Sequence, residues 1–155
     1  MAYRIAGLDK ESFEPLFGLE DEALAARNAR RVTADSPTGF PCRVSLVDAA
    51  PGERLILLNH VSHDVPTPYR TAYAIYVREA AEAAPCYNDQ VPPLLERRTL
   101  GLRGFDGEGM LKHALLAGPG ETDAKLRELF GRADIASVHV HNAVTGCFLA
   151  RAERD

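Results

Sequence analysis

From Ile135 to Arg151 the residues alternate so regularly that a strand, a turn and a returning strand are the structure they fit. Val138 and Val140 fall on one face of the first strand, His139 and His141 on the other. Val144-Thr145-Gly146 reads as the turn, with Cys147 to Arg151 running back. A type I turn with Gly146 in the left-handed region gives a three-residue loop with a bulge. Ala143 then faces Cys147, His141 faces Leu149 and His139 faces Arg151, and facing residues share a side of the sheet. One side would carry His139, His141, Cys147 and Arg151. The other would carry Val138, Val140, Phe148 and Ala150 as a core face. A loop of two or four residues would shift the register and part Cys147 from the histidines.

The rest of the chain reads as short strands with few helices. Tyr3 to Ala6 alternates like a strand, and Asp9 or Ser12 caps the turn that follows. Phe13, Leu16 and Phe17 have helical spacing, with Pro15 acceptable only in the first turn. Glu20 to Arg27 suits a second helix, acids first and arginine last, with Asn28 as a left-handed stop. Arg30 to Ala34 is extended, and Ser36-Pro37-Thr38-Gly39 and Ala50-Pro51-Gly52-Glu53 are turns. Arg54 to Asn59 is a buried strand, and His60 to Pro68 is a loop where we expect mobility. Thr71 to Arg78 is the clearest strand, with Tyr73, Ile75 and Val77 on one face.

Glu79 to Val91 reads as loop, and Pro92 to Arg97 as one helical turn begun by proline. Arg98 to Phe105 and Met110 to Leu116 form a hairpin around Asp106-Gly107-Glu108-Gly109. Thr122 caps a helix through Phe130, ended by Gly131, with Leu126, Leu129 and Phe130 as its buried stripe. The expected fold is α+β, a single globular domain over residues 1–155. Its sheet is mainly antiparallel and barrel-like, with two or three short helices. Thr71–Arg78 and Ile135–His141 should belong to one sheet, with the Thr122 helix packed on it.

Composition narrows the function classes. Eighteen basic against 22 acidic residues give a net charge of -4, which argues against nucleic acid as a partner. Arg27, Arg30 and Arg31 read as a solvated helix end. The longest apolar run, Leu55-Ile56-Leu57-Leu58, falls far short of the ~20 residues a membrane helix needs. The first residues lack the basic start and apolar middle of a signal peptide. Three cysteines without Cys-x-x-Cys spacing suit a reducing cytoplasm, with no disulfide framework and no structural zinc. We expect no membrane partner and no cofactor. Nothing in the sequence sets an oligomeric state.

The candidate chemistry is concentrated in the last hairpin. A thiol beside imidazoles can be a nucleophile, which makes Cys147 with His139 and His141 the catalytic candidates. Asn142 points away and does not complete a triad. The alternative is that Cys147 simply packs. His139-x-His141 also places two imidazoles where they can chelate, with His60 or His63 as a third ligand. Metal-binding cupins begin their site this way, but no glutamate follows here. Histidines that hydrogen-bond within the fold are the preferred alternative, and no metal is expected.

Cys42-Arg43 after Pro41, and Tyr69-Arg70 after Pro68, are the remaining ligand-binding candidates together with Arg151. Arginine beside a turn can grip a carboxylate or phosphate with its planar fork. The same arginines can equally pair with surface acids. Asp106-Gly107-Glu108-Gly109 lacks calcium-loop spacing, and Gly118-Pro119-Gly120 lacks the end of a phosphate loop.

A set of segments carries a family resemblance. They are Phe40-Pro41-Cys42-Arg43-Val44-Ser45-Leu46, Pro51-Gly52-Glu53, Pro68-Tyr69-Arg70, Ile75-Tyr76-Val77-Arg78-Glu79, and His139-Val140-His141-Asn142-Ala143 with Gly146-Cys147. Together they resemble a family of short bacterial proteins, number twelve-oh-three in the domain-of-unknown-function series. The resemblance runs nearly end to end and implies a single-domain bacterial protein. It transfers no catalytic residue. The residues themselves suggest a cytoplasmic domain that binds a small polar or anionic molecule, with enzyme chemistry on the His/Cys/Arg face. The alternative is a non-catalytic binding or protein-interaction module in which these residues are structural.

Overall fold

The computed structural model describes residues 2–155. In chain order the elements are β1 (Tyr3–Ala6), a 3-10 turn (Lys10–Ser12), α1 (Glu14–Phe17), α2 (Asp21–Ala25), β2 (Arg30–Thr33), β3 (Arg54–His63), β4 (Thr71–Arg78), β5 (Cys86–Asn88), α3 (Pro93–Glu96), β6 (Leu100–Phe105), β7 (Leu111–Ala117), α4 (Thr122–Phe130), β8 (Ser137–Asn142) and β9 (Phe148–Arg154). The fold is therefore α+β, with four α-helices among the described residues, more than the two or three expected. The chain divides into two compact units.

The first unit takes the start of the chain through Ala6, then Val61–Tyr73 and Cys86–Asp155. Its sheet has the order β5-β1-β9-β8-β6-β7, and each pairing is antiparallel. Alternation along the strands divides it into two faces. Tyr3, Ile5, Leu102, Val138, Val140, Ala150 and Ala152 are buried on one. There α4 lies against β1, β6, β7 and β8, burying Leu126, Leu129 and Phe130, with the Phe130 ring 6.2 Å from that of Tyr3. A Cβ on Gly104 would stand 2.6 Å from Ile135 Cδ1, so the missing side chain admits that isoleucine. The opposite face carries Arg103, Phe105, His139 and His141, and the site is built there.

The second unit takes Gly7–His60 and Ala74–Pro85. It holds β2 and most of β3 and β4, which form a three-stranded sheet in the order β2-β3-β4. Phe13, Leu24, Cys42, Val44, Ile56, Ile75 and Val77 belong to one apolar cluster. Asp9 accepts the Glu11 N–H at 3.1 Å, and Pro15 sits in the first turn of α1. Asn28 has the expected positive φ, 54°.

Several expectations are corrected. β4 and β8 lie in different sheets, because β3 returns through a short connection to pair with β4 instead. The six-stranded sheet ends at β5 and β7 without closing, so the described residues form no closed barrel. β3 continues through His63, where a loop from His60 was expected. The residues after it are tied down: His63 Nε2–H donates to the Gly109 carbonyl at 3.0 Å, and the Thr67 hydroxyl donates to it at 3.4 Å. Thr122 is the first helical residue rather than the cap, and its buried hydroxyl has no hydrogen-bond partner. A short strand, β5, lies within the expected loop Glu79 to Val91. No helix among the described residues is long and apolar enough to cross a membrane.

Candidate functional site

Strands β6, β8 and β9 are neighbours, so residues far apart in sequence meet in rows across the sheet. One row reads Arg103, His139, Arg151, and the next reads Gly101, His141, Phe148. His139 faces Arg151 as expected, but the register of the hairpin changes between Val140 and His141. The turn has four residues between Asn142 and Cys147, closed by Asn142 N–H to Cys147 O (2.9 Å) and Gly146 N–H to Asn142 O (2.8 Å). Gly146 takes the left-handed conformation, at φ 76°. The extra loop residue is absorbed by a bulge at Leu149, since Val140 pairs with Ala150 and His141 with Phe148.

That bulge changes which side chain joins the histidines. Phe148, expected on the core face, puts its ring 5.6 Å from His139 and 5.9 Å from His141. Cys147 falls opposite Asn142, one position out of phase with the histidines, and is not in the cleft they line.

The cleft has a volume of about 310 Å³ and lies wholly within the first unit. Tyr69 and Arg70 come from the connection between β3 and β4, Tyr73 from β4, Arg103 and Phe105 from β6, and His139 and His141 from β8. Arg103 Nη1–H donates to the Tyr73 hydroxyl at 2.9 Å. With that lone pair engaged, the Tyr73 O–H proton is directed elsewhere. Arg70 Nε is 3.0 Å from Asp64 Oδ1.

The histidines are the buried part of the site. His141 is 2% exposed, and its Nδ1 is 2.9 Å from the Gly146 carbonyl. A carbonyl only accepts, so Nδ1 carries a proton. His139 is 1% exposed, and its Nε2 has no hydrogen-bond partner. The rings of His63 and Phe105 stand 4.7 Å and 5.0 Å from it. Burial, reinforced by His63, Arg151, His141 and Arg103, holds the His139 pKa down to about 3. This imidazole is neutral at physiological pH.

The sequence candidates are thus partly gathered. Tyr69, Arg70, His139 and His141 line one cleft. Arg151 stands beside His139 at the exposed end of the row and pairs with Glu153 at 3.3 Å. Cys42 and Arg43 belong to the second unit, and both are buried. The Cys42 sulfur accepts the N–H groups of Ser45 and Arg78, and Arg43 Nη1–H donates to the Pro41 carbonyl at 2.6 Å. Of the two histidines considered as a third metal ligand, His63 joins the first unit's cluster. His60 lies in the second unit, against Phe13, with its pKa lowered by burial. Among the described residues no group of three or more His, Cys, Asp or Glu is arranged to hold a metal.

Tyr73, Arg103 and Phe105 are cleft residues that the sequence reading did not single out. Tyr73 stood on the clearest strand of the chain. Only the adjacency of β6 and β8 makes Arg103 a neighbour of His139.

An α+β protein with an antiparallel sheet and a cleft lined by histidine, arginine and tyrosine is the class defined by fold and site. The chain belongs to the family described as protein of unknown function (DUF1203), which matches residues 39–154. That confirms the resemblance carried by the motifs, and the matched segment includes every cleft residue named above. No curated protein and no solved structure matches the chain.

Proposed function

We propose that this bacterial, cytoplasmic protein binds a small anionic molecule in the cleft of its first unit. The observation that carries this reading is one recess lined by Arg70, Arg103, Tyr73 and two buried histidines, with His139 Nε2 left unpaired. A buried polar atom without a partner costs about 1–3 kcal/mol, which an incoming ligand group can recover. The lining contains no carboxylate, so its charged side chains are all donors. Apolar walls with a few convergent polar groups are the usual form of a small-molecule site.

The same groups suit acid–base chemistry on a bound anion, with the Tyr73 hydroxyl as proton donor. This reading uses the histidines and arginines and leaves Cys147 out.

Thermal unfolding in benzoate, phosphate and citrate tests the binding, with chloride at matched ionic strength as the control. A ligand at about ten times its Kd stabilises the fold by about 1.4 kcal/mol. At least one of the three should raise the melting temperature of the wild type but not of His141→Gln. No difference from chloride for any of them would contradict the reading.

A further inference from the structure

Resting on the cleft as an anion site, we propose that its ligand is a flat aromatic monocarboxylate anchored by Arg103, with Arg70 serving the wall of the cleft rather than the anchor. The charge of the lining is the first reason. Arg70 is ion-paired with Asp64, and Arg151, next to His139 in its row, is ion-paired with Glu153. Arg103 pairs with no carboxylate among the described residues, and it donates a hydrogen bond to the Tyr73 hydroxyl. One guanidinium without a counter-charge matches one negative charge. A phosphate dianion would leave one of its charges unmatched in a partly buried recess.

Shape is the second reason. Tyr69, Tyr73 and Phe105 all contribute to the wall, and aromatic rings favour other rings in offset or edge-on packing. About 310 Å³ lies at the small end of ligand pockets and suits a body of one or two rings. An aromatic wall can also hold a cation, but the unmatched charge of Arg103 and the lack of a carboxylate in the lining oppose that here.

The donors give the third reason. A guanidinium presents a planar fork that fits the two oxygens of a carboxylate. The Tyr73 O–H stands beside it, oriented by the bond that its oxygen accepts from Arg103. His139, whose Nε2 is unpaired, lines the same recess, one strand away from Arg103.

Calorimetric titration of the full chain at neutral pH separates head group from ring. The probes are naphthoate, naphthyl phosphate, naphthamide, cyclohexanecarboxylate and inorganic phosphate. Naphthoate should bind about tenfold or more tightly than any other, the difference expected for a charge-assisted hydrogen-bond pair. Arg103→Gln should abolish that preference and Arg103→Lys should weaken it, while Arg70→Gln changes affinity by less than about threefold. Circular dichroism of each variant confirms folding, and Arg103→Lys serves if Arg103→Gln does not fold.

Either phosphate binding more tightly than naphthoate, with the binding lost in Arg103→Gln, would overturn the carboxylate assignment and leave the anion site standing. Naphthamide or cyclohexanecarboxylate matching naphthoate would overturn the charge or the ring requirement. Unchanged naphthoate affinity in the Arg103 variants would remove the anchor. No binding of any probe would overturn both the carboxylate and the anion site.

Discussion

Arg103 and His139 lie opposite each other on β6 and β8, a charged guanidinium beside an imidazole held neutral by burial. The pair concentrates positive charge on the arginine and leaves the histidine as a hydrogen-bonding group. Arg151 completes the row on the other side of the imidazole. An imidazolium there would be repelled by both arginines, which reinforces the neutral state.

That neutrality has a consequence for stability against pH. In the unfolded chain His139 takes up a proton as pH falls through about 6.5. In the folded chain it stays neutral until about pH 3. Between those values the unfolded state binds more protons, so stability falls as pH falls, by up to about 1.4 kcal/mol per pH unit for this group. His60, whose pKa is also lowered by burial, adds to the slope. Urea unfolding across that range should show the decline, and His139→Gln should flatten it. An equal slope in the variant would mean that His139 is not buried neutral.

A second prediction concerns Gly109, whose φ is 89° and where a Cβ would meet Val65 Cγ1 at 2.8 Å. Its carbonyl also accepts from His63 and Thr67, so it holds the segment that carries Tyr69 and Arg70. Gly109→Ala should cost about 1–3 kcal/mol from backbone strain and crowding. It should also weaken anion binding, since part of the cleft wall loses its anchor. Wild-type urea stability and affinity in this variant would show that the segment is held by other means.

The thiols are expected to react in order of exposure. Cys86 is exposed, Cys147 is intermediate and Cys42 is fully buried. Mass mapping after brief labelling slightly below neutral pH should find Cys86 modified first and Cys42 last. Cys147 labelled ahead of Cys86, and slowed by His139→Gln, would restore a thiolate role that the hairpin register does not favour.

Residue patterning made some elements legible to their ends. The alternation from Thr71 to Arg78 and the helical stripe from Thr122 to Phe130 match β4 and α4. The pairing of His139 with Arg151 also followed from the hairpin pattern. What stayed hidden depends on tertiary partners. β5 has only three residues and exists through its pairing with β1. The end of β3, His60 to His63, is too polar to read as a strand, yet it ends on His63, whose ring reaches His139. The place of Arg103 depends on strand order, which alternation does not encode. The bulge at Leu149 shows how one unforeseen residue exchanges Cys147 for Phe148 beside the histidines.

The most direct test of the cleft is a benzoate titration followed through the imidazole resonances of all five histidines. His139 and His141 line the recess, whereas His113 is exposed on β7 and His60 belongs to the second unit. The resonances of His139 and His141 should move together and saturate, and both shifts should vanish in Arg103→Gln while His113 and His60 stay still. Movement confined to His113 or His60, or no saturable movement at His139 and His141, would contradict an anion site in this cleft.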